Sequence, residues 1–110
     1  LQGMAKRLKA DPAWREVMLE IIADLHSPMQ ARIGIGAILE GLAGDPLLVS
    51  LIPALGKLSR HAEHSVRIDA CHYLGLTRDP AARPYLERCL TDTDPHVREI
   101  ARDSLDMLAE

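Results

Sequence analysis

Four side chains able to bind a metal crowd one stretch of this 110-residue chain: His61, His64, Cys71 and His72. On a helix, ligands at i and i+4 share a face and can hold one ion between them. The spacing here misses that requirement. His64 and Cys71 are about 10 Å apart along a helix axis, His72 lies one residue further, and His61 falls in a loop. No three converge, so no metal is expected. Cys71 and Cys89 are too few for a disulfide framework or a four-thiolate centre. Counted from a turn near Arg78, Cys71 lies seven residues before and Cys89 eleven after. In an antiparallel helix pair that is a mismatch of about 6 Å, awkward for a disulfide. Both thiols are therefore expected to pack as small apolar groups, Cys89 above all. The chain has no nucleophile–His–acid order on a strand–turn–helix elbow and no Gly-rich phosphate loop. No catalytic residue and no cofactor site are expected.

The elements that must carry these side chains are helices. Five prolines follow a capping residue: Asp11-Pro12, Ser27-Pro28, Asp45-Pro46, Asp79-Pro80 and Asp94-Pro95. An Asp or Ser oxygen accepts from a free first-turn amide, and proline at the next position gives up a donor that would be unpaired anyway. Ser27 with Gln30 also reads as a capping box. Behind each start, apolar residues recur at helical spacing. The stripes are Val17, Met18, Ile21, Ile22, Leu25; then Ile35, Ile38, Leu39, Leu42; then Leu51, Ile52, Leu55, Leu58. They continue with Val66, Ala70, Tyr73, Leu74, Leu76; then Tyr85, Leu86, Cys89, Leu90; and finally Val97, Ile100, Ala101, Leu105, Leu108. With the amphipathic Leu1, Met4, Ala5, Leu8 stretch the chain reads as seven helices. Pro53 sits deep in its segment, so that helix is expected to begin late, near Ser50, or to kink. Gly34 and Gly36 inside a helix are costly and are expected where a neighbour packs closely, the alternative being a partner or ligand that presses on that helix.

Composition agrees with thin helical layers. Aromatic residues are 3% of the chain, with no Phe, so the core is aliphatic. The net charge of −3 lacks the basic footprint of a nucleic-acid binder. No apolar run approaches the roughly 18 residues of a membrane span, and a cytoplasmic location is the expectation.

The pattern repeats. Asp11-Pro12, Asp45-Pro46 and Asp79-Pro80 are each 34 residues apart, and the same step carries Leu8 to Leu42 to Leu76 and Ile21 to Leu55 to Cys89. A period in this range means one supersecondary unit stacked on copies of itself. Short connections make neighbouring helices antiparallel. Units of roughly 1–25, 27–59, 64–90 and 94–108 follow, within a single domain.

Two of these units carry a recognisable signature: Glu63, Val66-Arg67, Ala70, Leu74 and Asp79-Pro80, then Asp94, Val97-Arg98, Ala101 and Leu105. This resembles the short bacterial HEAT repeats, and the unit from Ala31-Arg32 to Leu58 is a weaker match. The resemblance implies an all-α fold, a right-handed α-solenoid of three to four stacked helix pairs, similar to armadillo superhelices. In such proteins the arginines at Arg32, Arg67 and Arg98 have a structural role. Here Glu63–Arg67 and Asp94–Arg98 are one helical turn apart, so each arginine can meet an acid, or pair across adjacent repeats while its stem covers core. The alternative is a basic ladder for an acidic ligand. One enzyme branch of the family, the deoxyhypusine hydroxylases, binds two irons through His-Glu pairs directly after the Val-Arg. The matching positions are Ile68-Asp69, Glu99-Ile100 and Ile33-Gly34, which disfavours that activity.

The function the resemblance implies is non-catalytic: a scaffold for a protein partner or for another domain of the same chain, without nucleic acid or membrane. The chain starts without Met and its first ten residues align with the end of a repeat's first helix, as in a module of a longer protein. The alternatives are an accessory domain holding an enzyme's substrate or chromophore, since phycobilin lyases resemble this fold, or a HEAT-like nucleic-acid binder. The second helices of such repeats line the concave side. The 34-residue step aligns Glu16 with Ser50, Leu19 with Glu87, and Glu20 with Ala54 and Arg88. With Trp14, these form the expected partner-binding strip.

Overall fold

The computed structural model describes residues 12–109. The expected helix over Leu1–Ala10, the Asp11 cap and the Trp14 side chain lie outside the described residues. Within them the chain is all α. The helices are α1 Pro12–Ala23, α2 Met29–Gly41, α3 Pro46–Val49, α4 Ile52–Leu58, α5 His64–Leu76, α6 Arg83–Cys89 and α7 Pro95–Ala109, with a 3-10 turn at Pro80–Ala82 before α6. Two rows form. Helices α2, α5 and α7 stack in one; α1, α3–α4 and the 3-10 turn with α6 stack in the other. The first row is uneven: α5 meets α7 along most of its length but touches α2 over a short stretch.

The Asp-Pro starts behave as local chemistry dictates. Asp45 Oδ1 accepts from the Leu47 amide at 2.8 Å, Asp79 Oδ1 from the Ala81 amide at 2.8 Å, and Asp94 Oδ1 from the His96 amide at 2.7 Å. Ser27 departs from the expected capping box. Pro28 occupies the cap position of α2 without a side-chain bond. The Ser27 hydroxyl instead donates backward to the Ile21 carbonyl at 3.1 Å, which closes the end of α1.

The second helices that follow α2 and α5 are broken, whereas α1 is continuous. Pro53 falls in the first turn of α4, and the α-helical ladder is interrupted at Ser50–Leu51. There the backbone stays right-handed but the Leu51 amide reaches back only to the Leu48 carbonyl. A proline ring clashes with the carbonyl four residues earlier, here that of Val49, so the break sits where the clash would be. Pro84 in the first turn of α6 has the same effect, and the residues before it wind as the 3-10 turn.

The turns between paired helices share one strained position. Gly44 has φ 75° and Arg78, one 34-residue step later, has φ 53°. Each immediately precedes the Asp-Pro start of the next helix. This left-handed bend reverses the chain, and at Gly44 it aims the amide at the Leu76 carbonyl of the next pair, 2.9 Å away.

The core is a continuous aliphatic layer between the rows, with Leu39, Leu48, Leu55, Leu74, Leu86, Val66 and Val97 fully buried. The buried hydroxyls of Ser59 and Thr77 are satisfied by carbonyls one turn back, those of Gly56 and Leu74, both at 2.6 Å. Three residues read as core stripe stand out at the surface: Val17, Leu25 and Leu90. The close-packing explanation for Gly34 also fails. A Cβ there would meet nothing within 4 Å, and one at Gly36 would make ordinary contact with the Tyr73 hydroxyl at 3.4 Å. The crowded glycines are Gly56, against the Tyr85 ring, and Gly75, against Ser104.

Candidate functional site

The uneven first row leaves an opening. Between α2 and α5 lies an open cleft of about 420 Å³, walled on one side by Leu25, Met29 and Ile33 and on the other by Ser65, Asp69 and Tyr73. Met29 is 76% exposed and Ile33 64%. These are large apolar groups in water beside a concave surface. They sit one helical turn apart and off the Ile35–Leu39 stripe of α2. That second i, i+4 apolar pair is the sequence signal that could have found the cleft; the stripe reading passed over it. Burial, and then the Asp69 carboxylate, push the Tyr73 phenol up to about 12, so it stays neutral.

Arg32 spans the cleft. Its Nη2 lies 2.7 Å from Asp69 Oδ2 of the next pair, while Nη1 donates to the Asp24 carbonyl at 2.9 Å in the loop before α2. Arg67 repeats the arrangement one unit on. Its Nη1 donates to the His61 and Ala62 carbonyls at 2.9 and 3.0 Å, and its Nε and Nη2 hold Asp92 at 2.9 and 3.0 Å. Arg98 donates to the Asp92 carbonyl at 2.7 Å. Each arginine thus ties down the loop ahead of its own helix, and the first two also reach an acid of the following unit. The one-turn pairs read from the sequence do not form among the described residues. Asp94 is committed to capping α7, and Glu63 occupies the cap position of α5 with an extended backbone.

The cysteines are closer than the sequence count suggested. Both are buried and free, and they adjoin, each being the largest influence on the other's pKa. Cys89 Sγ donates to the Ser59 carbonyl at 3.8 Å. The count took Arg78 as the middle of the turn. The reversal instead occupies everything between Leu76 and Arg83, so Cys71 lies five residues before the end of α5 and Cys89 six after the start of α6. The two positions are therefore level. Cys89 also faces a second open cleft, of about 440 Å³, lined by Ser59, Arg60, His61, Arg67, Arg88 and Asp92.

The expected strip maps onto the second row. Glu16, Glu20, Ser50, Glu87 and Arg88 are exposed, whereas Leu19 and Ala54 are half-buried, Leu19 packing against the core. Arg15 Nη1 reaches the Ser50 hydroxyl at 3.4 Å, so α1 and the α3–α4 bend meet there. His61, His64, His72 and Cys71 do not come together. His61 accepts the Glu63 amide through Nδ1, and His72 Nε2 lies 3.7 Å from Glu40 on α2. Among the described residues no three His, Cys, Asp or Glu side chains gather as a metal site, and no helix is long and apolar enough to cross a membrane.

A search of curated proteins finds no match to the chain. The family of HEAT repeats matches residues 1–106, nearly the full length, and the two rows of antiparallel helices are what such repeats build. The chain belongs to the HEAT-repeat family.

Proposed function

We propose that the chain is a non-catalytic scaffold that binds a protein partner, or another domain of its own polypeptide, in the cytoplasm. HEAT repeats commonly serve as helical scaffolds for protein interaction. The observation that carries the reading for this chain is the α2–α5 cleft, where Met29 and Ile33 stand exposed beside an apolar hollow. Exposed apolar side chains scattered singly need no explanation, but clustered ones at a concavity mark interaction sites. Such a cleft suits an apolar anchor side chain from the partner, rimmed by polar contacts to Ser65 and the Arg32–Asp69 pair. The strip on the second row offers mostly charge and little apolar area, so it serves as the rim of a broader contact surface.

The test is photo-crosslinking from Ile33 in the source cell, with Arg102 on the exposed face of α7 as the control position. Two variants accompany it: Leu25→Asp with Met29→Asp, which leaves position 33 free for the crosslinker, and Glu20→Lys with Arg88→Glu. The expected result is a protein adduct from Ile33 and not from Arg102, lost in the cleft variant and weakened in the strip variant. Adducts that survive the cleft variant would move the site elsewhere. The absence of any protein adduct at Ile33 would remove the scaffold reading of this face.

A further inference from the structure

Arg60 and Arg88 flank the cleft that opens onto Cys89, both exposed and without an ion pair among the described residues. Asp92, the acid lining the same cleft, is neutralised by the bidentate grip of Arg67. An open hollow with net positive walls therefore has a nearly buried thiol in its lining, and the fully buried Cys71 adjoins it in the core. We propose that Cys89 is a modification site for anionic low-molecular-weight disulfides and that Cys71 resolves the adduct into a Cys71–Cys89 disulfide joining α5 to α6.

The chemistry balances without another reagent. The Cys89 thiolate attacks one sulfur of the disulfide RSSR, forming Cys89–S–SR and expelling RS⁻. Cys71 then loses its proton and attacks the Cys89 sulfur, forming the internal disulfide and expelling the second RS⁻. The protein dithiol is oxidised by two electrons, and RSSR is reduced to two RSH. Thiolate attack through a mixed disulfide is the general route of such exchange.

Access and electrostatics order the two steps. Cys89 lines the cleft, whereas Cys71 has no exposed surface. The adjoining Cys71 thiol lowers the Cys89 pKa against the opposing effects of burial and Asp92, and the Ser59 and Arg67 side chains assist. The proximity of Cys89, together with burial, raises Cys71. The nucleophile is thus the thiol that faces the reagent, and the resolving thiol is the one that cannot meet it. Carboxylates on the reagent would meet Arg60 and Arg88.

The experiment uses oxidised glutathione as the probe on the folded chain, followed by intact mass and peptide mapping. The wild type is expected to pass through a transient mixed disulfide at Cys89 and end with the Cys71–Cys89 peptides linked. Cys71→Ser should stop at the glutathione adduct, and Cys89→Ser should remain unmodified over the same interval. Arg60→Glu with Arg88→Glu should slow glutathione disulfide roughly tenfold while leaving the rate with uncharged 2-hydroxyethyl disulfide unchanged. The order of appearance in the wild type tests the proposal even where a serine variant folds poorly. An adduct forming first at Cys71 would overturn it. So would adducts persisting at both cysteines without linkage, or a rate that rises with urea in step with global unfolding.

Discussion

Arg67 grips both carboxylate oxygens of Asp92, with Nε to Oδ2 at 2.9 Å and Nη2 to Oδ1 at 3.0 Å, across the junction between α5 and the loop before α7. The two side chains retain 14% and 12% of their exposure, so this pair is well shielded from water. Arg67→Ala leaves that carboxylate with only the Asp94 amide and leaves two loop carbonyls without their donor. Hydrogen bonds to charged groups contribute about 1.5–3 kcal/mol, and a loss of about 2 kcal/mol is expected in urea unfolding. Arg32→Ala should cost less, because its partner Asp69 is 37% exposed. Equal losses would mean that burial does not set the strength of these pairs.

Acid should reveal the same junction. Burial raises the Asp92 carboxyl, but the Asp94 amide and the Arg67 guanidinium outweigh it and hold the group below its ordinary value of 3.8. For Asp94 desolvation is the largest single influence and raises it, but the His96 and Val97 amides it caps, with the His64 and His96 charges, outweigh it and hold the group low. A carboxylate depressed in the folded state adds stability above its unfolded value, and that stability disappears as pH falls through the folded value. The chain should hold its stability above about pH 4 and lose it progressively below. Asp92→Asn should be less stable at neutral pH and show a shallower acid limb. Chemical denaturation across the acid range reads both slopes, and parallel curves would remove Asp92 from the account.

Glycines on the two faces of the first row should respond in opposite directions. Gly34 has open space where a Cβ would stand, so Gly34→Ala should gain about 0.8–1 kcal/mol of helix stability. At Gly75 the new methyl would lie 2.7 Å from Ser104 Cβ and 3.0 Å from Ser104 Cα, where α5 presses on α7. Gly75→Ala should cost about 1–3 kcal/mol through overpacking, and part of that should return with Ser104→Gly. A double-mutant cycle without coupling would mean that the α5–α7 approach is looser than described.

The left-handed turn before the third Asp-Pro start supplies a stabilising substitution. Arg78 adopts φ 53° where the equivalent Gly44 has φ 75°. A side chain in that region is strained by about 1–2 kcal/mol, and Arg78 is exposed. Arg78→Gly should therefore gain about 1 kcal/mol, less the entropy glycine loses on folding. Gly44→Ala should lose a comparable amount. A fall in thermal midpoint for Arg78→Gly would show that the arginine does more than turn the chain.

What could be read from the residues was whatever depends on near neighbours. The Asp45, Asp79 and Asp94 caps were legible because donor and acceptor lie two residues apart. The helical class and the 34-residue period followed from spacing alone. Ser27 misled because its hydroxyl had two nearby uses, and the distant one, the Ile21 carbonyl, prevailed. Val17 and Leu25 misled because a stripe says which face is apolar and not how closely the next helix approaches it. The α2–α5 cleft depends on that approach, and only its Met29–Ile33 wall was within reach of the sequence. The Cys71–Cys89 contact was hidden by turn length: six residues spent in the reversal shift the register of α6 past what a count from Arg78 allows.

The arginine links all point one way. Arg32 reaches forward to Asp69, and Arg67 reaches forward to Asp92. Each unit thus offers a cation to its successor and an acid to its predecessor, so its two faces are complementary but not alike. Contacts of this head-to-tail kind cannot satisfy themselves by twofold pairing, and they propagate as open arrays. A duplicated unit would bring both halves of the link with it and could be accepted between its neighbours without new interface chemistry, whereas a unit inserted in reverse would set arginine against arginine. The direction of the stack is thereby written into two ion pairs.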